Sequence, residues 1–410
     1  MSSEPILSIF SAVVAFALVI LAAKKKFSIG AAMISGALII ALFSMRIEDI
    51  PTVLMDGLSK PVNYKLILVV SLIPILGYCF QKTGEMAALA DHMKILFPDK
   101  RLTLALIPAI FSMLPMPGGA LFSAPIVDSE GNLAGISSSE KNFLNFWFRH
   151  IVFLISPLEP ALVFTALISG INLYSLILIQ IPIFLIAMFA GFWFSLRKIK
   201  QVKDPNNAKV EKMVHFKHFI VNFSPILVVP ILNILFTISL EIAIVIGIFS
   251  SFIVGKVNLK KIPVLIKAGI SKNMIVDIFG IVVFQSIIGS SGILDMIVKP
   301  INVFSFLTLT FTFLISFVIG LLTGNLIAPI AMIFPLFLPI AVKANVALLP
   351  VIAFLYVSAF LGQLISPAHL CLIVSTEYFK ENLTRIYLKL VAPILLVVAS
   401  TTAILAFSLF

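Results

Sequence analysis

Charged residues and cysteines are scarce in this sequence of 410 residues. Asp, Glu, Lys and Arg together make up 11% of it, and it holds two cysteines and five histidines. Soluble domains carry about 25% charged residues, so the composition excludes an ordinary soluble domain. Two thiols supply neither a disulfide framework nor a metal cluster. Cys79 and Cys371 both lie in apolar segments, and we interpret them as packing residues.

Several functional signatures are missing as well. The sequence has no G-x-x-x-x-G-K-[ST] string, which argues against a primary pump in one chain. H-E-x-x-H does not occur, and the other four histidines are not near His369 in the sequence, which disfavours an intramembrane enzyme. No basic stretch precedes the first apolar run, so we interpret that run as a retained span and not as a secretory signal.

Long apolar segments occur along the whole sequence instead. Apolar residues make up 60% of it, and its mean hydropathy is +1.16. Runs of roughly 20 apolar residues cross a bilayer as helices, whereas β-barrel strands are short and alternating. We therefore predict an all-α polytopic protein of the lipid bilayer. Full spans are predicted at residues 6–22, 27–45, 66–80, 151–171, 173–195, 218–237, 239–255, 273–290, 351–371 and 388–408.

Two further apolar regions, 102–127 and 303–337, carry helix breakers in the middle, and we predict that they form re-entrant hairpins. With the lysines at 24–26 on the cytoplasmic side, this arrangement leaves only five of the 29 Lys and Arg residues outside. That is the positive-inside bias, and a full crossing by either region would break it. Both termini are then outside. The same bias explains the formal charge of +11 without a nucleic-acid partner.

Three short motifs occur twice, in the same order and at nearly the same separation. They contain Phe80 and Phe284, Gly119 and Gly324, and Ser156 and Ser366. An odd number of predicted crossings precedes the second set, so the two copies have opposite orientations, which is typical of transporters. We predict a first inverted repeat at 1–195, a cytoplasmic linker at 196–217 and a second inverted repeat at 218–410.

Proline and glycine interrupt the apolar regions at four places. "PMPGG" and "LTGNL" mark the two hairpin tips, and "LISPLEPAL" and "LISPAHLCL" mark two broken spans. Backbone groups freed from a helix are tolerated in a membrane where they line a cavity, and they suit an anion or a cation. Ordinary proline kinks are the alternative. We predict a substrate and ion site at Pro117, Gly118, Gly119, Ser156, Pro157, Glu159, Thr323, Gly324, Asn325, Ser366, Pro367 and His369.

Polar side chains in or beside the predicted spans are weighed individually. Glu159 relays a proton or holds a cation, or else is satisfied by helix N–H groups. His369 carries protons or makes a structural hydrogen bond. Arg149 and His150 attract an anion or anchor the chain at the interface beside Trp147, and we favour the anchor. The same choice between site and structure applies to Asn142, Asn145, Gln363 and Asp277.

The string "MLPMPGGALFSAPIV", followed by "NFWFRH" and "ISPLEPAL", resembles the prokaryotic membrane family called domain of unknown function 401. That family is similar to the ion transporter superfamily of citrate, gluconate, arsenite and dicarboxylate carriers. The resemblance implies inverted repeats, two re-entrant hairpins, two broken helices and elevator-type alternating access, usually in a homodimer. The dicarboxylate carriers have Ser-Asn-Thr at both tips. Here the tips are Pro-Gly-Gly at 117–119 and Thr-Gly-Asn at 323–325, so those ion sites do not carry over intact.

Together these features predict a secondary active transporter of a small organic anion, driven by H⁺ or Na⁺, in the inner membrane of a prokaryote. No cofactor is expected beyond the coupling ion. An intramembrane enzyme and an ion channel are the alternatives. The enzyme would need a cluster of catalytic groups or metal ligands, and the channel would lack saturable exchange.

Overall fold

The chain is helical throughout the part that the structure describes. The structure, a computed structural model, describes residues 5–25, 27–113, 118–200, 212–293, 296 and 306–409. Within these residues there are 19 α-helices, several short 3-10 turns and no strand, which confirms the all-α fold class. The predicted site residue Pro117 and residues 201–211 of the predicted linker lie outside the described residues.

The first half of the described chain contains ten helices. They are α1 (Pro5–Lys24), α2 (Ile29–Ser44), α3 (Ile50–Ser59), α4 (Pro61–Lys82), α5 (Glu85–Leu96), α6 (Lys100–Ser112), α7 (Ala120–Leu133), α8 (Ser138–Ile151), α9 (Pro160–Ser169) and α10 (Leu173–Phe194). The second half of the described chain contains nine. They are α11 (Lys212–Leu235), α12 (Leu240–Val254), α13 (Ile262–Gly269), α14 (Lys272–Ser290), α15 (Phe306–Thr323), α16 (Ile327–Lys343), α17 (Leu348–Leu364), α18 (Leu370–Tyr378) and α19 (Leu383–Leu409).

Five helical segments of the described chain are long and apolar enough to cross a membrane. They are Pro61–Lys82, Leu173–Lys198, Lys212–Leu235, Lys272–Ser290 and Leu383–Ile404. Large apolar side chains on them point outward: Leu178 and Leu185 on α10 are 64% and 58% exposed. Extensive apolar surface of this kind belongs in lipid, so the chain is a membrane protein. The count of ten spans stays a prediction, because the other apolar helical stretches found among the described residues are 10–17 residues long.

The two halves pack through exchanged contacts. α2 packs on α14 of the second half, and α12 packs on α4 of the first. At the crossing of α2 and α14 the backbones touch, since a Cβ added to Gly30 would lie 2.0 Å from the carbonyl oxygen of Val276. Asp277 Oδ1 accepts hydrogen bonds there from the Gly30 N–H at 2.8 Å and the Ser28 hydroxyl at 3.1 Å. Asp277 therefore caps α2, a helix of the other half.

Two helical hairpins position the centre of the molecule. α6 with α7 forms the first hairpin, which packs on α8, and α15 with α16 forms the second, which packs on α17. α7 also contacts α18 of the second half, and α16 contacts α9 of the first. Each hairpin thus lies against both broken helices, and this places its tip beside their breaks.

The first broken helix begins well before the predicted boundary. The prediction starts a span at residue 151, but α8 already begins at Ser138, and a 3-10 turn at Val152–Leu154 follows it. Hydropathy missed α8 because the helix carries many polar side chains. It is buried nevertheless, because several of these side chains, such as Asn142 and Asn145, form hydrogen bonds inside the protein. α11 begins at Lys212, so residues 212–217 of the predicted linker are helical.

Candidate functional site

Each hairpin tip contains a glycine in the left-handed region of backbone conformation. Gly118 has a φ of +68° and Gly324 a φ of +62°, and this region is strained for residues with a Cβ. A Cβ added to Gly324 would lie 2.7 Å from the carbonyl carbon of Ala368 and 2.8 Å from the backbone nitrogen of His369. The second tip is therefore in direct contact with the second break.

The two breaks separate α8 from α9 and α17 from α18. Glu159 caps α9, because its Oε1 accepts a hydrogen bond from the backbone N–H two residues on, at 3.5 Å. Ser366 Oγ donates to the carbonyl oxygen of Leu321 at 2.5 Å, which joins the second break to α15. The Tyr356 hydroxyl on α17 donates to the carbonyl oxygen of Phe153 at 2.8 Å. Hydrogen bonds thus hold the two broken helices and the second hairpin together.

A cavity of about 240 Å³ lies between the tips and the breaks. Pro160 and Leu370, the first residues of α9 and α18, line it, so two helix N-termini with their partial positive charge reach its wall. Five predicted site residues also line it: Gly118, Glu159, Gly324, Asn325 and His369. The structure therefore brings together residues that are far apart in the sequence.

The other described candidates do not line this cavity. They are Gly119, Ser156, Pro157, Thr323, Ser366 and Pro367. Thr323 Oγ1 donates to the carbonyl oxygen of Ile319 at 2.8 Å, and Ser156 Oγ accepts from the Leu158 N–H at 3.4 Å. These hydroxyls form hydrogen bonds with backbone groups at the tip and the break, and for this reason they do not point into the cavity.

Arg149 lines the cavity although it is only 1% exposed. Its Nε and Nη1 atoms are buried and have no hydrogen-bond partner. The interfacial anchor that we favoured from the sequence is wrong, because Trp147 beside it is also buried and donates to the carbonyl oxygen of Ala187 at 3.0 Å. Glu159 on the same cavity wall is a buried carboxylate that attracts this cation, and the two unpartnered nitrogen atoms are left as donors for a bound anion.

Asn325 presents a donor to the cavity. Its Oδ1 accepts from the N–H groups of Ile327 at 2.7 Å and Ala328 at 3.2 Å, which caps α16. Because the amide oxygen is occupied in this way, the Nδ2 group is the part of the side chain that remains for a ligand. An amide donor, a guanidinium and two helix N-termini around one cavity favour a negatively charged occupant.

A buried hydrogen-bond network holds α8 in place. Asn145 Nδ2 donates to the carbonyl oxygen of Ala120 at 3.1 Å and to Ser375 Oγ at 3.0 Å, and its Oδ1 accepts from Ser123 Oγ at 2.6 Å. Ser375 Oγ in turn donates to Asn142 Oδ1 at 2.8 Å. The network joins α7, α8 and α18, so both asparagines have structural partners and are buried inside the protein.

His150, His369 and Cys371 meet beside the cavity. Their ligand atoms all lie within 4.8 Å of one another, and the two imidazole rings pack edge to face with centroids 4.7 Å apart. Cys371, which we interpret from the sequence as a packing residue, therefore lies among groups that could hold a metal ion. Separation in the sequence concealed the cluster, because α8 and the segment around α18 belong to different halves of the chain.

The repeated LISP motif is the sequence signal that could have found Arg149 and His150. The predicted span at 351–371 contains the whole string "FLYVSAFLGQLISP". The predicted span at 151–171 contains only the end of the matching string "FLNFWFRHIVFLISP". Equal treatment of the two strings would have put both residues on a buried half-helix. For Cys371, the only comparable signal in the sequence is His369 two residues before it.

The fold is that of a polytopic helical membrane protein whose paired hairpins and broken helices surround one cavity. The chain belongs to the family described as protein of unknown function (DUF401), whose sequence profile matches residues 2–408. Among solved structures, it is similar to the crystal structure of the Alcanivorax borkumensis YdaH transporter, described as having an unusual topology. The two share 15% identity over 88% of each chain, with a TM-score of 0.65, which shows a common fold. No curated protein matches the chain.

Proposed function

We propose that the protein is a secondary active transporter of a small organic anion and that the cavity between the hairpin tips and the breaks binds this substrate. The observation that carries the proposal is Arg149, a fully buried guanidinium that lines the cavity with two unpartnered nitrogen atoms. A carboxylate would accept hydrogen bonds from such a group in a bidentate pair. In the absence of substrate, the Glu159 carboxylate is the charge that attracts Arg149.

The size of the cavity supports a small substrate. Its volume of about 240 Å³ lies below the roughly 300–1,000 Å³ of pockets for drug-sized ligands. The α9 and α18 N-termini add positive dipole ends at the wall, as at other anion sites. A substrate with one or two carboxylates on a short carbon skeleton fits this combination of volume and charge.

Glu159 is the proposed coupling residue. It lies on the cavity wall and is buried, and its own carboxylate would oppose a bound anion unless it were neutralised. A proton or a Na⁺ ion taken up together with the substrate would remove that repulsion. Either H⁺ or Na⁺ can act as the coupling ion, since both neutralise the Glu159 carboxylate.

We also propose that the two halves are inverted repeats and that the protein works by an elevator-type mechanism. The exchanged packing of α2 on α14 and of α12 on α4 supports the repeats, because related elements make related contacts in both halves. The hairpins and broken helices would move together against these scaffold helices. The likeness to a solved structure described as a transporter supports transport. A homodimer in the inner membrane, with both termini outside, completes this proposal.

A thermal-shift experiment tests the anion site. The purified protein is heated with a panel of organic anions, in Na⁺ or K⁺ and at two pH values. An anion at 100 times its Kd adds about 2.7 kcal/mol to the stability of the native state, which appears as a rise in Tm. The variants are Arg149→Met and Glu159→Gln, and Arg385→Met is the matched control, since its side chain is 71% exposed.

The two variants have different expected results. Arg149→Met loses the anion-dependent rise in Tm, because the hydrogen-bond donors for the carboxylate have been removed. Glu159→Gln keeps the anion response but loses its dependence on Na⁺ or pH. If Arg149→Met retained the same anion response as Arg385→Met, the proposed site would be wrong.

An intramembrane enzyme is the second candidate, and one observation favours it. Cys371 lies beside two imidazoles, and such a pairing activates thiol nucleophiles. An enzyme would consume the molecule that stabilises it, whereas a carrier returns it unchanged. Chromatography of the stabilising anion after incubation with the protein separates the two candidates.

A further inference from the structure

We propose that His150, His369 and Cys371 form a binding site for a thiophilic transition-metal ion, with Zn²⁺ as the first candidate. The three side chains come from α8 and from the segment at the start of α18, and all three are buried. The site lies beside the anion cavity, but it is inferred from its own geometry and does not rest on the transport proposal.

Backbone hydrogen bonds determine which ring nitrogen carries the proton in each neutral imidazole. His150 Nδ1 lies 2.6 Å from the carbonyl oxygen of Phe146, and His369 Nδ1 lies 3.0 Å from the carbonyl oxygen of Gln363. A carbonyl oxygen only accepts, so each Nδ1 carries the proton, and each Nε2 is left with a free lone pair. Metal-binding histidines typically donate their second ring N–H to a carbonyl or carboxylate in this way.

Taken by themselves, the three side chains have more acceptors than donors, and Arg149 adds a donor near the Cys371 sulfur. Two Nε2 lone pairs share their surroundings with the Cys371 thiol, which has one proton and can donate to only one of them. His150 Nε2 is fully buried and has no hydrogen-bond partner. A metal ion resolves this imbalance, because it binds both lone pairs and replaces the thiol proton, which leaves to solvent.

The distances fit one ion after a small adjustment. Zn–N and Zn–S bonds of about 2.0–2.3 Å place the ligand atoms of a tetrahedral site roughly 3.3–3.7 Å apart. The three atoms here lie within 4.8 Å of one another, so they need to approach by roughly 1 Å at most to reach this range. Two imidazoles and a thiolate select Zn²⁺ or Cu⁺ over Mg²⁺ or Ca²⁺, which prefer oxygen. His369 and Cys371 also line the cavity, so a fourth ligand position would face it.

A second histidine group provides the internal competitor. His92 Nδ1 lies 3.0 Å from His215 Nδ1, and the His92 ring stacks on that of His218 with centroids 5.4 Å apart. This group contains no thiol, so a metal bound there gives no sulfur signature. Cys79 is the second internal control, because it is buried like Cys371 but belongs to no such cluster in the described chain.

The test is a Co²⁺ titration of the full-length protein after removal of metal with a chelator. Co²⁺ bound by a thiolate in a tetrahedral site gives a charge-transfer band in the near ultraviolet and intense visible bands, and Zn²⁺ then displaces it. We expect one ion per chain with both signatures in the wild type, Cys79→Ser and His215→Ala. Cys371→Ser should lose the charge-transfer band. Both Cys371→Ser and His369→Ala should bind Co²⁺ at least tenfold more weakly than the wild type.

A second measurement uses only the wild type and remains informative if a variant fails to fold. The detergent-solubilised protein is alkylated with N-ethylmaleimide with and without Zn²⁺, and peptide mapping compares the two thiols. Zn²⁺ should protect Cys371 selectively and leave the reactivity of Cys79 unchanged. Absence of protection, or a Co²⁺ charge-transfer band that survives in Cys371→Ser, would overturn the proposed site.

Discussion

The two broken helices reach similar breaks by different means. α8 buries Asn142, Asn145 and Arg149, and a hydrogen-bond network holds it. α17 is largely apolar and packs by close backbone contact, since a Cβ added to Gly362 would lie 2.1 Å from the carbonyl oxygen of Phe317. The charged group that we assign to substrate thus comes from the first helix, while the second supplies a close fit. Similar backbone geometry does not require similar chemistry on both sides of the cavity.

The largest predicted effect compares the two hairpin tips. Both tip glycines have positive φ, so alanine strains either backbone by about 1–2 kcal/mol. A Cβ added to Gly324 would also lie 2.7 Å from the carbonyl carbon of Ala368. The nearest atom to a Cβ added to Gly118 is a Leu370 methyl at 4.0 Å. We expect Gly324→Ala to lower the free energy of unfolding by about 3 kcal/mol in total and Gly118→Ala by about half of that.

Thermal unfolding in detergent measures this difference between the tips. Gly289→Ala serves as the control, because its φ is ordinary and nothing lies within 4 Å of a new Cβ. Equal losses for Gly324→Ala and Gly118→Ala would show that the second tip does not rest on the second break.

A smaller effect compares the polar network of α8 with a single bond on α17. Asn145→Ala removes three hydrogen bonds and leaves buried partners unsatisfied, so it should cost about 2 kcal/mol. Ser358→Ala removes one bond, to the carbonyl oxygen of Phe313 at 2.5 Å, and should cost about 1 kcal/mol. Equal changes in Tm for the two variants would remove the proposed contrast between the helices.

The last comparison concerns Glu85, a buried acidic residue at the start of α5, outside the five long apolar helices and away from the cavity. Neither carboxylate oxygen has a hydrogen-bond partner, and burial raises the pKa of Glu85 from 4.5 to about 8. The native state therefore keeps this proton after the unfolded chain has lost it. Stability should fall as pH rises from 4.5 towards 8 and level off above that range.

Glu85→Gln should flatten this pH dependence and raise the Tm above pH 8 by a few degrees. Asp91→Asn on the exposed side of α5 is the matched control, since its side chain is 73% exposed. A Tm profile that kept the wild-type slope in Glu85→Gln would mean that Glu85 is ionised in the native protein. Glu85, which has no adjoining cavity, stays protonated and neutral, whereas the charged Arg149 lines a cavity that can hold an anion.

The sequence was sufficient to predict the helical class and the positions of both breaks. The two regions predicted as re-entrant hairpins each contain a pair of packed helices, α6 with α7 and α15 with α16. Helix length, proline and glycine are local signals, and each has a direct backbone consequence. The strings around Gly118, Glu159, Gly324 and His369 therefore led to four residues that do line one cavity. The matching LISP motifs indicated which parts of the two halves correspond.

The chemistry of the cavity could not be predicted in the same way. The polar residues of α8 look like an interfacial segment in the sequence, because the partners that satisfy them, such as Ser123 and Ser375, lie on other helices. The role of a hydroxyl also depends on its rotamer: Thr323 and Ser366 turn back to the backbone. The metal cluster needs residues from both halves, and only tertiary packing brings Cys371 to His150.

Counterflow in proteoliposomes tests the central claim most directly. Vesicles containing the protein are loaded with the anion that stabilises it, and entry of the labelled anion is followed from outside. A carrier predicts saturable, transient accumulation that depends on the internal anion and is lost in Arg149→Met but not in Arg385→Met. Flux that increases linearly with concentration and is independent of internal anion would contradict the account and indicate a channel.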